Sequence, residues 1–268
     1  MSGAASTTSP RTTRALTVGG RVLAPVVVGL VGLAVWQLLV GVVGVSAYLL
    51  PSPSEIVEEF RANTDAIFEA ARTTGGNALI GLVTGGLLGI VLAGLAAATR
   101  VVDSMLAPVV AALAVVPIVA LAPVLNTMFG ADAETGRRTI AAVAAFVPVF
   151  LNTLRGLRQT TPLQRELLAT HAASAWQTFR VLTLPAGAPY VLTGFRVAGS
   201  LAVISALVAE YFGGPRGGLG AYISTSAATS AYARAWAYVG AAIVLGLAVY
   251  VVTAGLEWLV SRRLPATT

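Results

Sequence analysis

The chain has 268 residues, of which 56% are hydrophobic and 10% are charged, and its mean hydropathy is +0.83. Soluble domains carry about 25% charged residues, so this composition excludes a soluble globule and indicates an integral membrane protein. The net charge of +6 does not indicate nucleic-acid binding, because the arginines are scattered at the ends of apolar segments rather than clustered.

Three residue types are scarce or missing. The chain has no cysteine and one histidine, His171, which excludes thiolate metal sites and paired-histidine motifs. All 17 basic residues are arginines, whereas the phosphate-binding P-loop needs a lysine. We therefore expect no metal or cofactor, and any ATP hydrolysis must take place on another subunit.

The N-terminal part predicts a tail followed by a membrane helix. Residues 1–20 are rich in Ser, Thr, Gly and Arg and lack periodicity, which predicts a disordered cytoplasmic tail ahead of a transmembrane domain over 21–264. The apolar run 22–45 contains one strongly polar side chain, Gln37. A signal peptide would have an apolar core of only about 7–15 residues, so this run predicts the first membrane helix.

An amphipathic helix is predicted next, over residues 52–72. Ser52 and Glu55 fit a capping box, and Pro53 suits the first helical position. Apolar side chains then recur at roughly helical spacing, with the acidic residues off that stripe. The pattern predicts a helix that lies on the membrane or on neighbouring helices, on its outer side.

Five further apolar stretches follow, and a spanning helix needs about 20 residues. They are residues 78–99, 104–130, 140–154, 191–208 and 235–256. The longest of these stretches, 104–130, contains Pro108, Pro117 and Pro123, which predict a kink or a break. The fold class is therefore all-α, a polytopic membrane protein with about six transmembrane helices.

Arginine placement predicts the orientation. If the N-terminus is inside, the inner flanks hold ten arginines and the outer flanks six, and the outer flanks also hold most of the acidic residues. Because arginine-rich flanks face the cytoplasm, both termini and the segment 155–189 are predicted to be cytoplasmic. The protein is then a multi-pass component of the inner (plasma) membrane.

The segment 159–185, which we call the elbow, has too much structure for a simple connection of about 2–8 residues. Thr161 with Gln164 and Ser174 with Gln177 fit two capping boxes. Pro185 and Pro189 are expected to end this run before the fifth membrane helix. Two interpretations stay open, a pair of helices lying on lipid and a docking element for a cytoplasmic partner.

The elbow resembles the cytoplasmic "EAA" loop of permease subunits of ABC importers. The family pattern E-A-A-x-x-x-G-A-S-x-x-x-x-F-x-x-V-x-L-P is matched by Glu166-Leu167-Leu168, Ala172-Ala173-Ser174, Phe179, Leu182, Leu184 and Pro185. Leu167 and Leu168 stand where the family has alanines, and Ala172 where it has glycine. "LLPSPSEI", "PIVALAPVLNTMFG", "FVPVFLNTLRGLR" and "VAEYFGGPRGGLGAYI" resemble, in the same order, segments of the sulfonate, taurine and nitrate branch of these permeases.

The resemblance implies the MetI-like fold of type I ABC importer permeases and a mechanism of alternating access. It also implies the partners: a dimer of cytoplasmic ATPase subunits, a second permease chain and an extracytoplasmic solute-binding protein. The ATPase-coupling residues would be Glu166, Leu167, Leu168, His171, Ala172, Ala173 and Ser174. For His171, an ordinary interfacial histidine is the alternative to a contact with the partner.

Polar side chains in the predicted third, fourth and fifth membrane helices are candidates for the transport path: Asn126, Asn152, Ser200, Ser205 and Glu210. Hydrogen bonding between helices is the commoner role for such residues. Glu210 falls near the predicted outer surface, where a role in a gate or at the surface competes with substrate binding. Arg196 is expected to extend to the inner membrane interface.

The predicted function is the transmembrane permease of an ATP-driven importer, a transport subunit and not an enzyme. The "AAS" and "LNTMFG" variants are similar to permeases for vitamin-type heterocycles, such as thiamine pyrimidine precursors and riboflavin, and sulfonate, taurine or nitrate import is the alternative. A self-sufficient secondary transporter would usually show internal repeats and buried ion-coupling groups. An intramembrane enzyme would need converging acidic or histidine side chains. The sequence shows none of these features.

Overall fold

The computed structural model describes residues 10–45, 50–130, 133–213 and 217–262, and within these ranges every regular element is helical. The helices are α1 (Pro10–Val43), α2 (Pro53–Ala62), α3 (Thr64–Ala98), α4 (Arg100–Val115), α5 (Ile118–Phe129), α6 (Glu134–Leu157), α7 (Pro162–Thr170), α8 (Ala175–Thr178), α9 (Leu184–Phe212), α10 (Leu219–Ala228) and α11 (Tyr232–Ser261). One π-helical turn, Phe179–Thr183, joins α8 to α9.

The number of membrane helices agrees with the prediction. Among the described residues, five helices are long and apolar enough to span a membrane: α1, α3, α6, α11 and the continuous helix Ala175–Phe212 that contains α8 and α9. A sixth span is present if α4 and α5, which are bent by 104° relative to each other, are counted together. The fold class, all-α with about six transmembrane helices, is therefore confirmed.

The third membrane segment breaks where its prolines predict. Between α4 and α5, Val116 and Pro117 have extended backbone, with ψ of 124° and 104°. Pro117 has no N–H to donate and disfavours helix at the preceding residue, so the helix stops there. Pro108 and Pro123 lie inside α4 and α5 without ending them.

One predicted boundary near the N-terminus differs from the structure. The tail was expected to be irregular as far as residue 20, but α1 begins at Pro10; residues 1–9 lie outside the described part. Adding a residue to an existing helix is far easier than nucleating one, so the first membrane helix extends into this polar stretch. The structure thus has helix over 10–20, where an irregular tail was expected.

The amphipathic helix predicted over 52–72 is two helices. Ser52 caps α2 with the predicted box, since its side chain accepts from the Glu55 N–H and Glu55 accepts from the Ser52 N–H. The chain then turns at Asn63, and α3 runs without interruption to Ala98. Ile67 is buried in the bundle while Phe68 is exposed, so these two residues do not form the expected single stripe.

The centre of the bundle is α3, α6 and α9, packed through small side chains. Alanines of all three helices share one buried cluster with Leu82, Val149 and Val203. A Cβ built on Gly85 of α3 would overlap the carbonyl oxygen of Ala142 in α6, so the two backbones are in direct contact. Small residues allow this approach, which supplies the van der Waals contact that holds helices together in lipid.

The remaining helices surround this centre. Gln37 of α1 accepts a hydrogen bond from the Ser54 N–H at 3.1 Å, and Arg234 of α11 pairs with Glu59 of α2 at 3.0 Å. These contacts hold α2 against the ends of α1 and α11. The sequence did not predict α10 as a separate helix. It has 10 residues, too few to span a membrane, and its first residues, Leu219 and Gly220, are buried against α9 and α3.

Candidate functional site: the elbow and a buried polar network

The elbow consists of two short helices, each started by its predicted capping box. In α7, Thr161 Oγ1 accepts from the Gln164 N–H at 3.3 Å, and Gln164 Oε1 accepts from the Thr161 N–H at 2.9 Å. In α8, Ser174 and Gln177 form the same pair of bonds at 3.3 and 2.7 Å. The caps fix where both helices begin, because they satisfy N–H groups that have no partner inside the helix.

The break between the two helices is a left-handed turn at Ala172, whose φ is 53°. The Ala173 N–H donates to the Leu168 carbonyl at 3.1 Å, which closes the end of α7. His171 Nδ1 lies 2.9 Å from the Leu167 carbonyl oxygen, an arrangement that places the proton on Nδ1. The ring of His171 thus bonds to its own helix.

The elbow exposes apolar side chains. Leu163 and Leu167 are 75% and 61% exposed on α7, and Trp176 is 68% exposed on α8. Trp176 stacks on Phe179 with ring centroids 5.6 Å apart. Glu166 is also exposed, so one face of the elbow combines apolar and acidic side chains that the described residues leave uncovered.

Pro185 and Pro189 do not end the elbow, in contrast to the prediction. Pro185 lies in the first turn of α9 and Pro189 lies inside it, so α8 and α9 form one continuous helix through the π-helical turn. Within that turn the Leu184 N–H donates to the Phe179 carbonyl, five residues back. The wider turn accommodates the proline without separating the elbow from the membrane helix. The elbow's second helix and the membrane helix are therefore one continuous element.

The structure does not gather the path candidates into one site. Asn126 is buried on α5, and its Nδ2 donates to the Ala209 carbonyl at 3.4 Å. Asn152 donates to the carbonyl of Pro148 within its own helix at 2.8 Å. Ser205 is buried on α9, whereas Ser200 lines an apolar cavity between α9, α10 and α11. Asn126 thus has the contact between helices that was the alternative to lining a path, whereas the bond of Asn152 stays within α6.

Arg196 has a partner on a neighbouring helix. Its Nη1 forms an ion pair with Glu257 Oε2 of α11 at 3.1 Å. Thr193, one turn earlier on α9, donates to Glu257 Oε1 at 2.6 Å. Such a pairing stabilises a charged side chain in a membrane helix.

Glu210 lies at the end of α9 that was predicted to be near the outer surface, and its side chain is fully buried between helices. Its Oε2 accepts from the Thr74 hydroxyl at 2.7 Å and from the Gly220 N–H at 3.2 Å, and its Oε1 accepts from Asn77 at 3.4 Å. Thr74 Oγ1 also accepts from the Leu219 N–H at 2.8 Å. A Cβ on Gly218, whose φ is 89°, would overlap the Glu210 carboxylate, so only glycine fits there.

These contacts belong to a larger polar network at the end of the bundle opposite the elbow, where α6 begins and α9 ends. Asn77 donates through Nδ2 to Glu134 and accepts through Oδ1 from Arg138 Nε at 3.1 Å. Glu134 also pairs with Arg137 at 3.0 Å. The network consists of Thr74, Asn77, Glu134, Arg137, Arg138 and Glu210. The sequence analysis missed it because its members lie up to 136 residues apart.

A cavity of about 760 Å³ opens beside this network, between α3 and α6. Asn77, Glu134 and Arg138 belong to both the network and the cavity wall. A second, mainly apolar cavity of about 600 Å³ between α3, α4 and α6 shares Ile80 and Arg138 with the first. Arg138 therefore stands where a polar opening meets an apolar groove. No group of three His, Asp or Glu side chains in the described part is placed to hold a metal ion.

Comparison with known proteins places these features in a family. Residues 85–264 match the family described as binding-protein-dependent transport system inner membrane component. The chain is 32% identical to the formylaminopyrimidine transport permease protein of Halalkalibacterium halodurans, over 73% of this chain and 78% of that one. It is 31% identical to the riboflavin transport system permease protein of Chloroflexus aurantiacus, over 72% of each chain.

A third relative has a different named substrate. The nitrate import permease protein of Synechococcus elongatus is 27% identical, over 71% of each chain. The family match covers the elbow, the polar network's α6 and α9 members and the three central helices from Gly85 onward. With its apolar spans, its elbow and its lack of a P-loop, the chain belongs to the binding-protein-dependent inner membrane components, and it is an ABC importer permease, a transport subunit that spans the membrane several times.

Proposed function

We propose that this permease carries a small, neutral heterocycle of the vitamin type, such as a thiamine pyrimidine precursor or riboflavin. The observation that supports this substrate class is the mixture of charges around the polar cavity. Three carboxylates, Asp65, Glu69 and Glu134, and two guanidinium groups, Arg72 and Arg138, face it. Acidic groups thus outnumber basic groups by one, three to two, at the opening.

This charge balance disfavours a small anion. A path for nitrate or a sulfonate would gain from a surplus of positive charge, which raises the local concentration of anions. A neutral heterocycle instead offers several hydrogen-bond donors and acceptors and a flat ring. Arg138, whose guanidinium is planar and carries several donors, suits such a solute, and the apolar groove beyond it suits the ring.

The volume of the cavity also favours a heterocycle over a small anion. A volume of about 760 Å³ lies within the usual range of about 300–1,000 Å³ for sites that take drug-sized ligands. Nitrate would fill a small part of it. The relatives named for formylaminopyrimidine and riboflavin transport add support for a heterocyclic substrate.

The elbow is proposed as the contact with a cytoplasmic ATPase dimer. Its exposed face of Leu163, Leu167, Trp176 and Glu166 has the apolar and charged groups that a protein interface buries. Closure of the ATPase subunits would push on α7 and α8, and the continuous helix through α9 would carry that displacement into the membrane. The substrate would arrive from an extracytoplasmic binding protein and pass between two permease chains, partly along the third and fifth membrane helices.

Uptake by the reconstituted complex tests the substrate class. The permease, purified together with its ATPase and binding protein, is placed in vesicles, and ATP-dependent uptake of labelled formylaminopyrimidine, riboflavin, taurine and nitrate is compared. We expect uptake of a heterocycle, and a fall in its rate of about tenfold in Arg138→Gln, equivalent to one hydrogen bond to a charged group. Arg234→Gln, which removes an exposed arginine outside the cavity, serves as the control.

Uptake of taurine or nitrate in place of a heterocycle would contradict the proposed substrate and support the sulfonate, taurine or nitrate alternative. Unchanged heterocycle uptake by Arg138→Gln would instead show that the polar cavity is not part of the path.

A further inference from the structure

Arg137 is the most unusual side chain of the polar network. It is 1% exposed, and its Nη1 pairs with Glu134. Among the residues that the structure describes, its buried Nε and Nη2 have no hydrogen-bond partner. Two unsatisfied donors on one buried cation are costly, since each buried donor without a partner costs about 1–3 kcal/mol and more on a charged group.

A second carboxylate of the network, that of Glu210, already has other contacts. Glu210 is linked to Arg137 through Asn77 and Glu134. Yet Glu210 bonds to Thr74 on α3 and to the Gly220 N–H at the start of α10. In this arrangement the carboxylate holds α10 against α3 and leaves two Arg137 donors unused.

An alternating-access permease must separate helices at each end of its path in turn, so contacts at one end exist in one state and are lost in another. The network lies at the opposite end of α9 from the elbow. Glu210 is 26 residues beyond Leu184, a distance of about 39 Å along a helix. A displacement of α9 that starts at the elbow would therefore move Glu210 relative to α3 and α6.

We propose that Glu210 is a positioning residue that changes partners during transport. In the structure it fastens α10 to α3 through Thr74 and Gly220; when α10 leaves α3, its carboxylate pairs with the free Nε and Nη2 of Arg137. The exchange compensates the lost contacts with an ion pair, so both states keep the carboxylate bonded. The inference rests on the chain's role as an importer permease and not on its substrate.

A cysteine reporter at the start of α10 tests the exchange. Leu219 is fully buried against α3, and the native chain has no cysteine, so Leu219→Cys would be the only thiol of the permease. In the reconstituted complex, labelling of this thiol by a membrane-impermeant maleimide is measured without nucleotide, and then with ATP, binding protein and vanadate. We expect little labelling in the first condition and clear labelling in the second.

The variant Arg137→Gln distinguishes two roles for Arg137. The residue either pairs with Glu210 after α10 has left α3, or only stabilises the closed arrangement. If Arg137 stabilises the separated state, Arg137→Gln should lower the nucleotide-driven labelling about tenfold, as loss of one charge-assisted bond predicts, and leave the basal labelling unchanged. Arg137→Lys, which keeps the charge, should restore part of the labelling. Glu210→Gln keeps acceptors for Thr74 and Gly220 but loses the charge, so it should resemble Arg137→Gln and provides the test if Arg137→Gln does not fold.

Three results would overturn the proposal. Higher basal labelling in Arg137→Gln would show that the residue only holds the closed arrangement together. Unchanged driven labelling in Arg137→Gln and Glu210→Gln would show that no ion pair forms. A Leu219→Cys reporter that is never labelled in a transporting complex would show that α10 does not leave α3. Substrate identity affects none of these readouts, so a failed substrate assignment is distinguishable from a failed exchange.

Discussion

Arg196 of α9 and Glu257 of α11 form an ion pair, with Nη1 3.1 Å from Oε2, between two helices that both span the membrane. Glu257 also accepts from Thr193, so one carboxylate fastens α11 to two successive turns of α9. The pair lies between the elbow and the polar network along α9. The pair thus fixes α11 against the helix that continues from the elbow.

Removing the acidic partner should destabilise the bundle. Glu257→Gln leaves Arg196 without a counter-charge, and we expect a loss of about 1–3 kcal/mol of stability, the range for a hydrogen bond to a charged group. Thermal unfolding of the permease in detergent measures it. The exchange Arg196→Glu with Glu257→Arg should recover part of the loss, and an unfolding temperature that Glu257→Gln leaves unchanged would contradict a stabilising pair.

Contact between α3 and α6 should tolerate no added methyl group at Gly85. A Cβ there meets the backbone of Ala142, which cannot move without shifting α6, so Gly85→Ala should cost about 1–3 kcal/mol. Gly94→Ala on the same helix is the matched control, because nothing lies within 4 Å of its added Cβ. The amount of folded protein recovered in detergent and its unfolding temperature give the comparison. Equal values for the two variants would show that the helices are not in contact at Gly85.

Glycine at position 172 should stabilise the elbow. Ala172 adopts a left-handed conformation, which costs a residue with a Cβ about 1–2 kcal/mol, so Ala172→Gly removes that strain. Ala169→Gly, inside α7, should instead weaken the helix by about 1 kcal/mol. Amide hydrogen exchange across 162–178 reads out both, with slower exchange expected for Ala172→Gly and faster for Ala169→Gly. Faster exchange in Ala172→Gly would mean that the turn is not strained.

Changing the exposed face of the elbow should uncouple transport from ATP hydrolysis. Glu166→Arg combined with Leu167→Asp alters charge and apolarity on α7 without touching either capping box. We expect uptake and substrate-stimulated ATPase activity to fall at least about tenfold, the effect of about 1.4 kcal/mol lost at the interface. Gln159→Ala, an exposed position before α7, is the control. Full uptake and full stimulation in the double variant would rule out the elbow as the coupling element.

Orientation can be measured with single cysteines, since the chain has none of its own. Glu58 and Ala175 are both exposed and lie on α2 and α8. With both termini inside, an impermeant thiol reagent should label Glu58→Cys in intact cells and label Ala175→Cys only after the cells are opened. The reverse pattern would invert the topology.

Much of the architecture was predictable because it depends on local chemistry. Apolar runs long enough to cross a bilayer predicted the spans, and hydrogen bonding within each helix is the main way for a chain to satisfy its backbone there. Capping boxes at Ser52, Thr161 and Ser174 predicted where α2, α7 and α8 begin, because a cap involves residues only three apart. Pro117 predicted the break between α4 and α5 for the same reason.

Partners distant in the chain were not predictable in this way. The pairing of Arg196 with Glu257, 61 residues later, did not follow from the sequence of either segment. The same holds for the enclosure of the Glu210 side chain by α3 and α10. Hydropathy shows how well each helix fits into lipid. It does not show which polar side chains of different helices contact each other.

The sequence by itself therefore determined the class, the spans, the elbow and the family resemblance, since each follows from composition or from residues close together in the chain. Only the tertiary structure decided that Thr74, Asn77, Glu134, Arg137, Arg138 and Glu210 form one network. The physical reason is that backbones brought into contact by glycines such as Gly85 set the neighbours of every polar side chain in the bundle, and that packing is a property of three helices together.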